Sequence, residues 1–308
     1  MDRRTLTRRS FCAGIAVLPA AVALPAGAQA PKEARMSMLT RPLGKPGEQL
    51  PVVGMGSSNT FDVGVAPEAR APLLDVLREL HAAGGTVIDT SPMYGRSEGV
   101  LGDLIGELGL RSKLWLATKV WTKGREAGEQ QIAASMQELG AAHIDLLQIH
   151  NLLDWQVHLP TLRKLRDAGK VRYLGVTHYR ADAHAELERV LAAERFDFVQ
   201  VNYSLAEREA ERRLLPFCQE RGICVMINRP FADGAMFQRV RDKPLPPIAK
   251  DLGIASWGQY FLKWIIGHPA VTCVIPATSQ PRHMQDNCRA GFGPMPDSRQ
   301  RALMADAW

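Results

Sequence analysis

Four side chains able to move protons end otherwise apolar runs of this chain. Asp89 follows Thr86-Val87-Ile88, and Tyr94 lies five residues on, in Pro92-Met93-Tyr94-Gly95. Lys119 closes Leu116-Ala117-Thr118, and His150 closes Leu147-Gln148-Ile149. A carboxylate, a phenol, an amine and an imidazole are the usual groups of general acid–base chemistry. Each alone has a plain structural use: Asp89 capping a turn, Tyr94 packing as a half-buried ring, Lys119 snorkelling to solvent, His150 satisfied in the core. Together they point to chemistry, because a buried Lys or Asp costs several kcal/mol unless it is paired. Titratable groups gathered at such a cost mark a functional site.

The elements that must position them repeat along the chain. Short apolar runs rich in Val and Ile predict strands at 52–56, 86–90, 114–120, 144–150, 171–177, 196–202, 223–228 and 271–277. They are apolar nearly throughout, as parallel strands buried on both faces should be. Helical periods lie between them, at 71–83, 98–108, 129–139, 159–168, 181–193, 209–220, 247–266 and 281–290. In the first of these Leu73, Leu74, Leu77 and Leu80 share a face and Gly84-Gly85 stops the helix. Gly140, Gly169 and Gly222 sit between a helix and the next strand, the turn chemistry that such a connection needs. Eight alternations without a break in composition predict one α/β domain, a (β/α)8 TIM barrel whose active site gathers at the C-terminal strand ends. No GxGxxG follows any strand, which weighs against a doubly wound sheet. Two turn signals within residues 38–50 predict a short N-terminal hairpin across the bottom of the barrel.

The 308 residues, 46% of them hydrophobic, suffice for a large single core. Residues 1–30 read as a signal peptide: Arg3, Arg4, Arg8 and Arg9, an apolar run from Phe11 to about Leu24, then the small-x-small Ala28-Gln29-Ala30. That leaves 31–37 as a linker and 38–308 as the barrel. The apolar run is too short to span a bilayer, so no stable membrane anchor is expected. Thr7-Arg8-Arg9-Ser10-Phe11 resembles the twin-arginine export signal, which implies the twin-arginine export machinery as a partner and the periplasm as a destination. That route moves folded proteins, which suits a tightly held cofactor. Removing residues 1–30 lowers the formal charge from +6 to +3, and no Lys/Arg cluster argues for nucleic acid. Cys12 leaves with the leader, whereas Cys218, Cys224, Cys273 and Cys288 remain. Cys224 and Cys273 sit in apolar runs, the setting of buried free thiols. No CxxC or Cys/His spacing suggests a metal.

Val87-Ile88-Asp89-Thr90-Ser91-Pro92-Met93-Tyr94-Gly95, Ala117-Thr118-Lys119-Val120 and Leu146-Leu147-Gln148-Ile149-His150-Asn151 resemble the catalytic motifs of the aldo-keto reductase superfamily. The similarity runs from about residue 40 to about residue 290. It implies an oxidoreductase that reduces an aldehyde or ketone to an alcohol with NAD(P)H, without a metal. In that chemistry Tyr94 is the general acid, Lys119 lowers its pKa, Asp89 holds the ammonium, and His150 hydrogen-bonds the carbonyl oxygen.

The same resemblance implies cofactor contacts. Gly56 and Ser57 stand at the first strand end, and Thr177, His178 and Gln200 around the carboxamide of the nicotinamide. Asn228, Arg229 and Phe231 follow the seventh strand, where many relatives carry a Tyr that stacks on the nicotinamide; Asn228 cannot stack. Thr278, Ser279, Arg282, His283, Asp286 and Asn287 fall where the adenosine phosphates are wrapped, beside a helix start that favours an anion. Many relatives have Lys in place of Ala277 and Arg in place of His283, the cations that grip the 2′-phosphate. Arg282 could take over that contact, so the resemblance favours NADP(H), with NAD(H) as the other option. Phe61, Trp121, Trp155 and Tyr179, with Phe231, are the candidate rings around a small-molecule carbonyl substrate. The chain stops soon after the eighth helix, from which an open, modestly selective site is expected. Two further readings compete: a nucleotide-binding redox sensor or partner subunit without turnover, and an unrelated barrel hydrolase. The intact quartet argues against the first; the second lacks a nucleophile with its base or a metal cluster. Supply of NADPH outside the cytoplasm is the main objection to an exported enzyme.

Overall fold

The computed structural model describes residues 37–44 and 47–308. The leader expected at 1–30, its twin-arginine stretch and all but the last residue of the 31–37 linker lie outside them.

The chain first forms a two-stranded antiparallel hairpin, β1 (Thr40–Pro42) and β2 (Gln49–Pro51). Eight parallel strands follow in sequence order: β3 (Met55–Gly56), β4 (Val87–Asp89), β5 (Trp115–Val120), β6 (Ile144–His150), β7 (Val171–His178), β8 (Phe198–Asn202), β9 (Cys224–Asn228) and β10 (Val271–Val274). Bridges Val53 to Val274 and Gly56 to Ala277 join the last strand to the first. The Gly54 N–H donates to the Val274 carbonyl over 2.9 Å there, so the sheet closes into a (β/α)8 barrel. The main helices of the surrounding ring are α1 (Pro67–Ala82), α2 (Ser97–Glu107), α3 (Arg125–Glu138), α4 (Trp155–Asp167), α5 (His184–Ala193) and α6 (Leu214–Arg221). They continue as α7 (Ala235–Arg239), α8 (Ile248–Asp251), α9 (Trp257–Ile266), α10 (Pro281–Arg289) and α11 (Ser298–Asp306). Each long helix lays one apolar stripe on the barrel, as α1 does with Leu73, Val76, Leu77 and Leu80.

Residues two apart on a strand face the same way, and this periodicity builds the interior. Val87, Trp115, Ala117, Leu146, Tyr173, Phe198, Cys224, Met226, Cys273 and Ile275 form an apolar cluster inside the barrel. Leu43 and Leu50 of the hairpin join that cluster, so the hairpin plugs the N-terminal end as expected. One step further along the same faces come Asp89, Lys119, Gln148, Gln200 and Asn228, so the interior turns polar at the C-terminal end.

Three predicted helices are divided. The stretch 181–193 opens as a 3-10 turn, Ala181–Ala183, before α5. The stretch 247–266 breaks at Gly253, whose φ of +62° ends α8, and α9 restarts at Ser256, whose hydroxyl accepts the Gln259 N–H. The stretch 209–220 opens as a 3-10 turn, Glu209–Arg212, before α6 begins past the non-helical Arg213. Helix α11, not expected from the apolar pattern, is started by a reciprocal cap between Asp297 and Gln300. Cys218, Cys224, Cys273 and Cys288 are buried free thiols.

Candidate active site

Asp89 and Lys119 sit on adjacent strands, β4 and β5, and both are buried. The Lys119 ammonium donates to Asp89 Oδ2 over 2.7 Å and to the Thr90 carbonyl over 2.7 Å. Asp89 Oδ1 accepts from Gln148 Nε2 (3.1 Å) and Gln200 Nε2 (2.8 Å). The carboxylate is therefore fully engaged, which a buried charge requires. Gln200 extends the network, since its Oε1 accepts from Thr177 and Asn228 over 3.4 Å each.

Tyr94 comes from the loop after β4. Its backbone turns tightly, with the Tyr94 N–H donating to the Ser91 carbonyl (3.0 Å) and the Ser97 N–H to the Tyr94 carbonyl (3.2 Å). Asp62 pins Arg96, two residues on: its Oδ1 accepts the Arg96 N–H (3.1 Å) and Nε–H (2.9 Å). Gly95 has φ +59°, and a Cβ there would lie 2.4 Å from the Asp62 carboxylate, so only glycine fits. The turn holds the Tyr94 ring with its centroid 5.1 Å from Lys119 Nζ and 6.0 Å, edge-on, from that of His150.

Burial raises the Tyr94 phenol above its ordinary pKa; Lys119 pulls it down, Asp89 pushes it up, and hydrogen bonding from Lys119 and Ser58 pulls it down. The balance stays on the raised side. Lys119 thus acts with the expected sign, but burial outweighs it, so Tyr94 keeps its proton at neutral pH. Burial opposes the charge on Lys119, yet Asp89 and Tyr94 more than offset this and hold the ammonium above its ordinary value. His150 is pushed down to about 2 by burial, the Lys119 charge and His178, and is neutral. Its Nδ1 lies 3.1 Å from Ser91 Oγ.

A cavity of about 1110 Å³ opens over this network at the C-terminal strand ends. Asp89, Tyr94 and His150 are on its wall with Gly56, Thr177, Gln200, Asn228, Arg229 and Phe231; Thr278, His283, Asp286 and Asn287 form the far end. The loops at its mouth carry non-glycine residues in the left-handed region, Asn151, Leu152 and Asp154 after β6 and Arg229, Ala232 and Asp233 after β9. Such strain gathers where a site must be shaped.

Several expected contacts fall elsewhere. Ser57 turns its hydroxyl to Thr90 Oγ1 (2.9 Å) and is fully buried, and its neighbour Ser58 takes the wall position. Phe61 is wholly buried in the outer core, and Trp155 packs against that core at the start of α4, so neither lines the cavity. His178 stacks on Tyr179, 5.6 Å between centroids at 6°, and its ring does not reach the wall, whereas Tyr179 does. Trp121 stands 6.4 Å from the His150 ring at the rim, 39% exposed. Ser279 and Arg282 lie off the wall. Sequence reasoning missed Ser58, Ser91, Asn151 and Gln148. Only Gln148 had a readable signal, as a polar residue two before His150 and so on the same strand face.

A model described as the Aldo/keto reductase family matches residues 52–304. Methylglyoxal reductase YeaE of Escherichia coli is 30% identical over 246 residues, 77% of this chain and 84% of that protein. The NADH-specific methylglyoxal reductase of the same organism is 28% identical over 232 residues, 63% of this chain and 68% of that protein. Among solved structures, an aldo/keto reductase from Klebsiella pneumoniae in complex with NADP and acetate matches with a TM-score of 0.71 at 28% identity, over 84% of this chain and 92% of that one.

Proposed function

The chain belongs to the aldo/keto reductase family and is an NAD(P)H-dependent carbonyl reductase; on that premise we propose that its substrates are small aldehydes of the 2-oxoaldehyde type, reduced with Tyr94 as the acid. The observation that carries the assignment of Tyr94 is the buried ion pair of Lys119 and Asp89 at 2.7 Å, with the Tyr94 ring beside the ammonium and on the cavity wall. The substrate class is supported by two relatives named as methylglyoxal reductases.

Bound reduced nicotinamide supplies the hydride to the carbonyl carbon. The residues present fit such a group: Asn228 Oδ1, on the cavity wall beside Gln200 and Thr177, is a buried acceptor with no partner among the described residues and suits the N–H donors of a carboxamide. Tyr94 gives its proton to the carbonyl oxygen. Lys119 stabilises the phenolate that forms, and Asp89 keeps the ammonium aimed at it. Neutral His150 donates a hydrogen bond to the same oxygen as negative charge builds there.

At the far end of the cavity Ala277 offers a methyl group, His283 stands where a cation would be needed, and Asp286 adds a carboxylate. The resemblance leans to NADP(H), but these side chains favour NAD(H), which has no 2′-phosphate to neutralise. For location, Thr7-Arg8-Arg9-Ser10-Phe11 and the apolar run after it support export to the periplasm. Fractionation of cells carrying the full chain, with and without Arg8→Lys and Arg9→Lys, tests this; retention of both forms in the cytoplasm rejects it.

The functional test is consumption of reduced nicotinamide on addition of methylglyoxal. Tyr94→Phe is expected to lower turnover by on the order of 10²-fold or more while nucleotide binding stays near normal. A Tyr94→Phe enzyme with full activity rejects the assignment.

A further inference from the structure

We propose that Ser91 is a positioning residue that fixes the ring tautomer of His150, holding its proton on Nε2, the nitrogen that can reach the substrate carbonyl. The proposal rests on the reading of His150 as the hydrogen-bond donor to that oxygen. A neutral imidazole carries one N–H, so which nitrogen holds it decides whether His150 can donate at all. Burial among Lys119 and His178 keeps the ring neutral.

The geometry supplies the direction of the hydrogen bonds. Ser91 lies in the loop two residues past β4 and is fully buried, with Oγ 3.1 Å from His150 Nδ1. The same Oγ accepts the Met93 backbone N–H over 3.3 Å. His150 Nδ1 is the one acceptor the structure offers for the Ser91 hydroxyl proton among the described residues. If Nδ1 carried the proton, the Ser91 hydroxyl would hold two incoming donors and have no acceptor for its own, a costly state for a buried group. Nε2 would then be a bare acceptor facing a carbonyl oxygen, which is also an acceptor. With the chain running Met93 N–H to Ser91 O–H to His150 Nδ1, every group is satisfied and Nε2–H faces the cavity that His150 lines. The Tyr94 N–H donates to the Ser91 carbonyl, so one residue sets both the imidazole and the turn that presents the phenol.

The experiment reads the tautomer directly, from 15N–1H correlations of the His150 ring in the full chain without substrate, in the native protein and in Ser91→Ala and Ser91→Thr. The native ring is expected as Nε2–H. Ser91→Ala should show a mixture of tautomers, with kcat lowered about tenfold, the worth of one hydrogen bond, KM changed less than about threefold, and nicotinamide binding unchanged. Ser91→Thr keeps the hydroxyl and should restore both the ring state and kcat. An Nδ1–H ring in the native protein, or an unchanged ring in Ser91→Ala, overturns the proposal. A ring that shifts in Ser91→Ala while carbonyl reduction stays at the native rate upholds the tautomer assignment and removes His150's role in the reaction instead.

Discussion

At the scale of the residue, the site depends on a charge pair that is stable only as a pair. Lys119 is fully buried, and its ammonium meets one carboxylate oxygen and one backbone carbonyl. Lys119→Met leaves Asp89 with only the Gln148 and Gln200 amides, so carbonyl reduction should fall by on the order of 10²- to 10⁴-fold. Stability should fall by about 3 kcal/mol, because a lone buried charge remains. Pairing it with Asp89→Asn removes that charge, so urea denaturation of the double variant should recover part of the stability while turnover stays lost. Equal losses of stability in the single and double variants count against the pair as drawn. These side chains were legible because acid, amine and imidazole each interrupt an apolar run at its end, where a barrel gathers its chemistry. Phe61 and Trp155 were not, since an aromatic in a loop or at a helix start carries no period that says which side it faces. His178 stays off the cavity wall for a different reason: its ring is taken up by stacking on Tyr179.

At the scale of the element, Lys119 depends on how β5 is held by the helices outside it. Glu98 of α2 is buried, and its carboxyl takes hydrogen bonds from the Thr118 hydroxyl on β5 and, at 2.8 Å, from Ser135 on α3. Burial raises its pKa to about 7, partly opposed by Thr118 and Ser135. The folded protein therefore binds this proton more tightly than the unfolded chain does. The stability that results is fully present below the ordinary carboxyl value and is lost as pH rises through about 7. The amount at stake is about 3 kcal/mol. Glu98→Gln cannot ionise, so its stability relative to the native protein should rise between pH 5 and pH 8 in parallel melts; two curves that stay parallel across that window remove Glu98 as the source. Sequence period located α2, α3 and β5, yet it could not show that Glu98 faces inward, because a charged residue in the first helical turn is ordinarily a solvated one. The same blindness joined α8 to α9: the apolar pattern continues through Gly253 and Ser256, and only the backbone turn separates them.

At the scale of the whole molecule, closure of the ring by β3 and β10 puts one cavity across the C-terminal strand ends. A dinucleotide lying in it would meet loops from most of the barrel, so cofactor affinity should appear as global stability. The far end decides which cofactor does this better. Among the described residues Arg229 is the one Lys or Arg on the cavity wall, and it is already engaged by Asp233 (2.9 Å), Glu207 (3.7 Å) and the Tyr179 carbonyl (3.2 Å). Asp286 is held by Ser256 Oγ (2.5 Å) and Gln259 Nε2 (2.6 Å), neutral donors that leave its charge in place. A 2′-phosphate brought here finds a like charge and no free cation on the wall, a combination that selects against it. NADH should therefore bind at least about tenfold tighter than NADPH, a difference of about 1.4 kcal/mol. In thermal melts, NADH at about one hundred times its Kd should add about 2.7 kcal/mol of stability, and the same concentration of NADPH distinctly less. Ala277→Lys with His283→Arg supplies two cations at that end without touching Tyr94 or Lys119, and should shift the larger stabilisation to NADPH. A native protein stabilised more by NADPH would mean that Arg282, off the wall here, swings in to grip the phosphate.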